Sequence, residues 1–419
     1  MDILLVTSNL GLPESPSSNH ICDRIECLRR YRDINVYGIT ESHPQMPCGI
    51  PLQVVRGGFS GRCERRIIKV FNLLQKSNLP GGSNAFALRK ALRECRDRFS
   101  LNLRGDKTDR FGNWGSVPTY EKAISETLHK NDFDLIYSTG GPAAVHIAVA
   151  HVLDEAQIPW IAEIQDPLLV EGVDGPTYNP SKRDLDYLYL AEECLKKADA
   201  VICLTEACAQ HYRDRLKKKS VYTLYPGSSV RCNPSRGLKE AGRTSGTINM
   251  FHGGTLAGNR NLDVLLRVIR DEGLDGEIVL TLAGYIDNEV REQMTSTPFV
   301  RYLGVLSRDE TVRQIYCSDI CLVVQNQSPI SRYTIPSKFY EYTALSLPIL
   351  FLGYNNDEVR RNSSIYNFYY CDQGDPKEVS ECLRQVSFDY HCGRLRIPVD
   401  PDITKAADQF VKLCREISG

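Results

Sequence analysis

The sequence predicts an α/β protein built as two doubly wound, Rossmann-like domains facing each other across a cleft. Short apolar runs alternate with helical patterns along almost the whole chain, the mark of βαβ units and parallel sheets. At 419 residues the chain exceeds one ordinary hydrophobic core and fits two domains of roughly 200 residues each. A polar stretch, GSSVRCNPSRGLKEAGRTSGT from Gly227 to Thr247, interrupts the pattern, which then begins again.

In the first half the expected strands are 3–8, 34–40, 135–139, 160–165, 200–205 and 220–225. In the second they are 248–254, 277–284, 299–304, 320–325, 348–353 and 368–371. This gives an N-terminal domain over 1–228, a linker over 229–247, a C-terminal domain over 248–400, and a closing amphipathic helix over 401–419. That helix either completes the second domain or packs back on the first.

Composition narrows the function classes. Apolar residues at 42% and charged residues at 25% are ordinary globular values. No apolar run reaches the ~18 residues a bilayer span needs. MDILLVTSNLG suits a first buried strand better than a secretory signal. The fifteen cysteines form no CxxC pair and no Cys/His cluster at zinc spacing, so reduced thiols in a cytoplasmic protein without a metal are expected. A net charge of −1 argues against a nucleic-acid partner. Between Arg56 and Arg110, fourteen basic residues face five acids, and this region is expected to meet an anionic membrane surface or a phosphorylated acceptor. Solvated faces of two ordinary helices remain the plainer explanation.

Open parallel sheets bind ligands at the carboxyl ends of their strands. No GxGxxG follows the first strand and no GxxxxGK[ST] occurs, which removes the dehydrogenase and P-loop readings. IPSKFYEYTALSLPIL, from Ile335 to Leu350, reads as a helix with Pro336 at its first position. Ser337 and Lys338 add a hydroxyl and an ammonium to the unpaired N–H groups of that first turn, a phosphate cradle. Glu341 lies one turn on, the same face as Lys338. A second strand end, HGGTLAGNR from His252 to Arg260, brings Gly253 and Gly254 for close backbone approach and Arg260 for gripping a diphosphate. In the first half, Asp166 follows a strand and is placed to orient an acceptor hydroxyl or take its proton. His20, in the loop after the first strand, is a further catalytic candidate, and it sits with Thr139, Gly140 and Gly141 where the cleft is expected, although a lone histidine is more often structural.

These motifs, together with LTLAG, VRYLGVLSRDET, FDLIYSTGGPAAVHIAVA, IPWIAEIQDPL and ADAVICLTEA, resemble glycosyltransferases of the family 4 type, which have the GT-B fold. The resemblance covers most of 130–400 and is loose over 41–128. It implies transfer of a sugar from a nucleoside diphosphate sugar with retained configuration, in assembly of a surface glycan. No further cofactor is implied. Arg260, Lys338 and Ser337 at the helix N-terminus would hold the diphosphate and stabilise it as leaving group, and Glu341 would hold the ribose. The turns after Gly284 and Gly304, with Val305 and Leu306, would face the base. The acceptor would be a glycan or a lipid-linked sugar, met in the cytoplasm at the inner membrane face.

Two departures stand out. Where the family pattern has an acid eight residues before Glu341 and an arginine directly after the glycine, this chain has Tyr333 and Thr255. Arg332 is the candidate for the missing charge. A catalytically silent GT-B protein and a nucleotide-sugar epimerase on the same fold are the alternatives.

Overall fold

A computed structural model of the protein describes residues 1–11, 16–41, 44, 48–55, 116–140, 143–168, 182–226, 246–257, 259–287, 291, 296–399 and 401–419. The basic region 56–110 and nearly all of the expected linker therefore lie outside the described residues.

The first sheet has seven parallel strands in the spatial order β3-β2-β1-β4-β5-β6-β7. They are β1 (Asp2–Thr7), β2 (Asn35–Thr40), β3 (Leu52–Val54), β4 (Leu135–Thr139), β5 (Trp160–Ile164), β6 (Ala200–Cys203) and β7 (Val221–Thr223). The second has six, all parallel, in the order β10-β9-β8-β11-β12-β13. They are β8 (Ile248–Gly253), β9 (Ile278–Ala283), β10 (Val300–Tyr302), β11 (Ile320–Val324), β12 (Ile349–Gly353) and β13 (Tyr369–Asp372). All but β3 match the expected strands to within two residues. β3 is only three residues long and half-buried, too short to carry a period.

Helices cover both sheets. They are α1 (Pro16–Leu28), α2 (Val117–Leu128), α3 (Ala144–Val152), α4 (Lys182–Leu195), α5 (Glu206–Leu216), α6 (Asp263–Asp271), α7 (Arg308–Cys317), α8 (Ser337–Ala344), α9 (Asp357–Ile365), α10 (Pro376–His391) and α11 (Pro401–Ser418). β1, β4, β5 and β6 are buried along their length and mainly apolar because both faces are covered. The same holds for β11 and β12.

Helix α11 follows the second sheet in sequence but packs against the first. Phe410, Val411, Leu413 and Cys414 are buried with Ile3, Leu5 and Ile21, each large side chain contributing about 1.5–3 kcal/mol. The Arg24 guanidinium stacks 4.8 Å from the centre of the Phe410 ring, and the Tyr31 hydroxyl donates to Asp408 at 2.6 Å. Among the described residues no helix is long and apolar enough to cross a membrane.

Candidate functional site

The carboxyl edge of the second sheet is built from glycines. Gly254 N donates to Ala283 O at 2.7 Å and Gly284 N to Gly304 O at 2.8 Å, so the turns after β8, β9 and β10 lie side by side. Gly284 has φ +117° and approaches Gly254 so closely that a Cβ would stand 2.3 Å from the Gly254 carbonyl oxygen. Only glycine fits there. Gly304 also has positive φ, +75°, but with open space around it. Beyond these turns Val305 and Tyr285 are exposed, while Leu306 packs partly into the core.

Helix α8 points its N-terminus at this edge. Pro336 is the N-cap and not the first helical residue: its ψ of 135° is extended, and its carbonyl accepts from Phe339 N at 2.9 Å. Ser337 opens the helix, and Lys338 is the second residue. The N-cap residue Pro336 makes no side-chain hydrogen bond to this N-terminus, whose first N–H groups carry the positive end of the helix dipole. A Cβ on Gly254 would stand 2.9 Å from Lys338 Cε. Lys338 therefore runs along the glycine edge, with Glu341 half-buried one turn further on.

Neutral amides hold the start of α8 in place. Gln325 Nε2 donates to Ser331 O at 3.0 Å and Thr334 O at 2.7 Å, and Asn356 Nδ2 donates to the same two carbonyls at 2.7 and 3.1 Å. These bonds brace a 3-10 turn over Pro329–Tyr333. Arg332 is exposed there and lies over the Tyr333 ring.

Arg260 ends a turn whose Arg260 N donates to Ala257 O at 3.1 Å. The burial of its guanidinium lowers its pKa, an effect opposed by Asp166. Its Nε is buried and makes no hydrogen bond among the described residues. Asp166 sits on the turn after β5, its surface open to solvent while surrounding protein partly encloses its carboxyl. That enclosure raises its carboxyl above the usual range, and Arg260 pulls the other way. Asp166 belongs to the first sheet and Arg260 to the second, so the two edges share one electrostatic environment.

His252 lies just beneath Gly254. Its Nδ1 is 3.0 Å from Leu322 O, and burial, with opposing help from that carbonyl and further lowering by Lys338 and Arg260, brings its pKa down to about 3. It is neutral at ordinary pH.

His20 differs from expectation. It lies in α1 and not in a loop, is buried, and places Nε2 3.0 Å from Glu163 Oε1. Glu163 also accepts from Arg24 Nε at 2.7 Å, the Tyr137 hydroxyl at 2.8 Å and the Thr139 hydroxyl at 2.8 Å. Burial opposes its charge, but Arg24 and His20 more than offset this and hold the carboxyl well below its usual range. His20 and Thr139 thus belong to a buried network beneath the edge of the first sheet. Gly141 lies outside the described residues. Among the described residues no cluster of His, Cys, Asp or Glu is arranged to hold a metal.

No protein-family model and no curated protein matches this sequence. Solved structures match across its full length. HepE of Anabaena in complex with UDP is 14% identical, with all of this chain and 95% of that chain covered and a TM-score of 0.59. A glycosyltransferase of Rickettsia africae is 11% identical over 99% of this chain and 98% of its own, at 0.58. A putative UDP-N-acetylglucosamine 2-epimerase of Listeria monocytogenes is 9% identical over 99% and 96%, at 0.53. With two parallel sheets in these strand orders, the chain has the GT-B fold.

Proposed function

We propose that the protein is a glycosyltransferase that moves a sugar from a nucleoside diphosphate sugar to an acceptor hydroxyl. The observation that supports this is that Lys338, at the N-terminal turn of α8, runs beside Gly254, that Lys338 and Arg260 both act on His252 beneath it, and that Arg260 is coupled to Asp166. An arginine that burial destabilises and that has an unpartnered Nε gains from an anion. In the proposed site the diphosphate lies against Arg260, Lys338 and the Ser337 end of α8, and Glu341 accepts from the ribose hydroxyls. The base lies by Gly284, Val305 and Leu306.

As the glycosidic bond to the diphosphate breaks, these cations stabilise the departing charge. Asp166 orients the acceptor hydroxyl and takes its proton, a role its raised pKa favours over that of an ordinary carboxylate. Retention of configuration and a part in surface-glycan assembly follow from the family resemblance. The lipid-linked or membrane-near acceptor rests on the basic region 56–110 and is tested by binding to anionic liposomes at low salt. UDP sugars are the first donors to try, since HepE is seen in complex with UDP-glucose.

An epimerase needs acids and a histidine poised around the sugar. His20 is committed to Glu163, which weakens that reading. Hydrolysis and transfer assayed over a panel of nucleotide sugars test the proposal: turnover of at least one donor, abolished in Asp166→Asn, is expected. Epimerisation without transfer would overturn it.

A further inference from the structure

The part of the proposed site that would face the diphosphate is made of hydrogen-bond donors: two cations and the first amides of α8. One buried acceptor stands among them. The carbonyl of Leu322 can only accept, so His252 Nδ1 carries the proton in its 3.0 Å contact and Nε2 carries a lone pair. That Nε2 is buried and has no hydrogen-bond partner among the described residues, and His252 is only 3% exposed.

The position of Nε2 relates it to one donor in particular. The point where a Gly254 Cβ would stand is 3.2 Å from His252 Nε2 and 2.9 Å from Lys338 Cε. The lysine side chain and the imidazole therefore flank the same small space, left open because residue 254 has no side chain. These two distances put Lys338 Cε within about 6 Å of Nε2, near enough for the flexible end of the lysine to bring its ammonium within reach. An unpaired buried acceptor is costly, and an ammonium is the strongest donor available to it.

We propose that His252 is a positioning residue that acts through Lys338, its Nε2 receiving the ammonium and setting where that charge stands at the glycine edge. The inference rests on the reading of Lys338 as a diphosphate ligand. Burial, with a smaller effect of the neighbouring cations, supports it by keeping the imidazole unprotonated and so an acceptor. Gly254 acquires a second role: a side chain there would occupy the space shared by the two groups.

Calorimetric titration with UDP tests this on wild type, His252→Asn, His252→Gln, Lys338→Ala and the double variant His252→Asn with Lys338→Ala. Asparagine can keep the bond to Leu322 O but has nothing at the Nε2 position, while glutamine can place its amide oxygen there. His252→Asn is expected to weaken UDP binding about tenfold with its melting temperature unchanged. His252→Gln should recover most of that loss, and His252→Asn should have no effect once Lys338 is alanine. Wild-type affinity in His252→Asn, or an equal loss with and without Lys338, overturns the inference. Unchanged binding by Lys338→Ala, or no binding of UDP by wild type at about 1 mM, instead overturns the donor-site reading on which it rests.

Discussion

The Thr205 hydroxyl donates to the backbone carbonyl of Tyr333 at 2.7 Å, joining the end of β6 in the first sheet to the turn before α8 in the second. Tyr333 is the residue that stands where the family pattern has an acid. Its ring packs 5.1 Å from His211 and against the core of the first sheet. The position thus serves the seam between the sheets. Glu358 of α9 crosses the same seam and accepts from Glu206 N at 3.0 Å and Ala207 N at 2.7 Å, capping α5 from the side of the second sheet. The Tyr340 hydroxyl adds a longer bond to Leu204 O at 3.4 Å.

Thr205 also caps its own helix, accepting from Cys208 N at 3.1 Å. Thr205→Val removes both bonds and should cost about 1–3 kcal/mol, read as a lower denaturant midpoint. Thr205→Ser, which keeps the hydroxyl, should stay within about 0.5 kcal/mol of wild type. Equal losses in both variants would refute the seam assignment.

The glycines of the site edge differ in what they tolerate. Gly284→Ala meets the Gly254 carbonyl and carries positive φ, so a loss of about 3 kcal/mol or more is expected. Gly304→Ala keeps the unfavourable φ but meets nothing within 4 Å, and should cost about 1–2 kcal/mol. Thermal denaturation of the pair distinguishes a crowded edge from one that is merely left-handed.

Asp166→Asn should lower transfer about 10²–10⁴-fold without weakening donor binding, since Arg260 loses a competing anion. Because the Asp166 carboxyl is raised from 3.8, the wild-type activity should fall on the acid side at a pH above that value. A turnover profile flat down to pH 4 would contradict the base assignment.

Two buried histidines make stability depend on pH. Burial lowers His146 from 6.5 to about 4 and His252 from 6.5 to about 3. A folded pKa below the unfolded one means that the unfolded chain binds the extra proton. Their contribution is therefore complete above pH 6.5, shrinks as pH falls below it, and levels off near pH 3–4. For His146 this amounts to about 3 kcal/mol. Denaturant unfolding from pH 7 to pH 4 should show the decline, and a shallower slope is expected in His146→Leu. An unchanged slope in that variant would assign the decline to other groups.

The fold was largely legible because strands buried on both faces are written as continuous apolar runs, such as ILLVT in β1 and ICLVV in β11. The proposed anion site was suggested by residues that bear charge or lack a side chain: Arg260, Lys338, Gly254 and Gly284. The Glu163 network was not, because Arg24 and His20 lie 139 and 143 residues before Glu163 and no spacing reveals that meeting. In WIAEI the acid looks like an interruption of a strand and not the centre of a network. Gln325, Asn356 and Gln373 went unnoticed because neutral amides leave no pattern, although Gln373 Nε2 donates to Gln325 O at 2.9 Å and completes the brace. His252 is recognisable only once its Nε2 is seen unpartnered below Gly254.

The central claim is that Arg260 and Lys338 form one anion site at the glycine edge. Its most direct measurement is calorimetric titration of UDP into wild type, Arg260→Ala and Lys338→Ala. Each variant should bind about 10–100-fold more weakly, corresponding to roughly 1.4–2.8 kcal/mol for a lost charged hydrogen bond. Wild-type affinity in both variants would contradict the account.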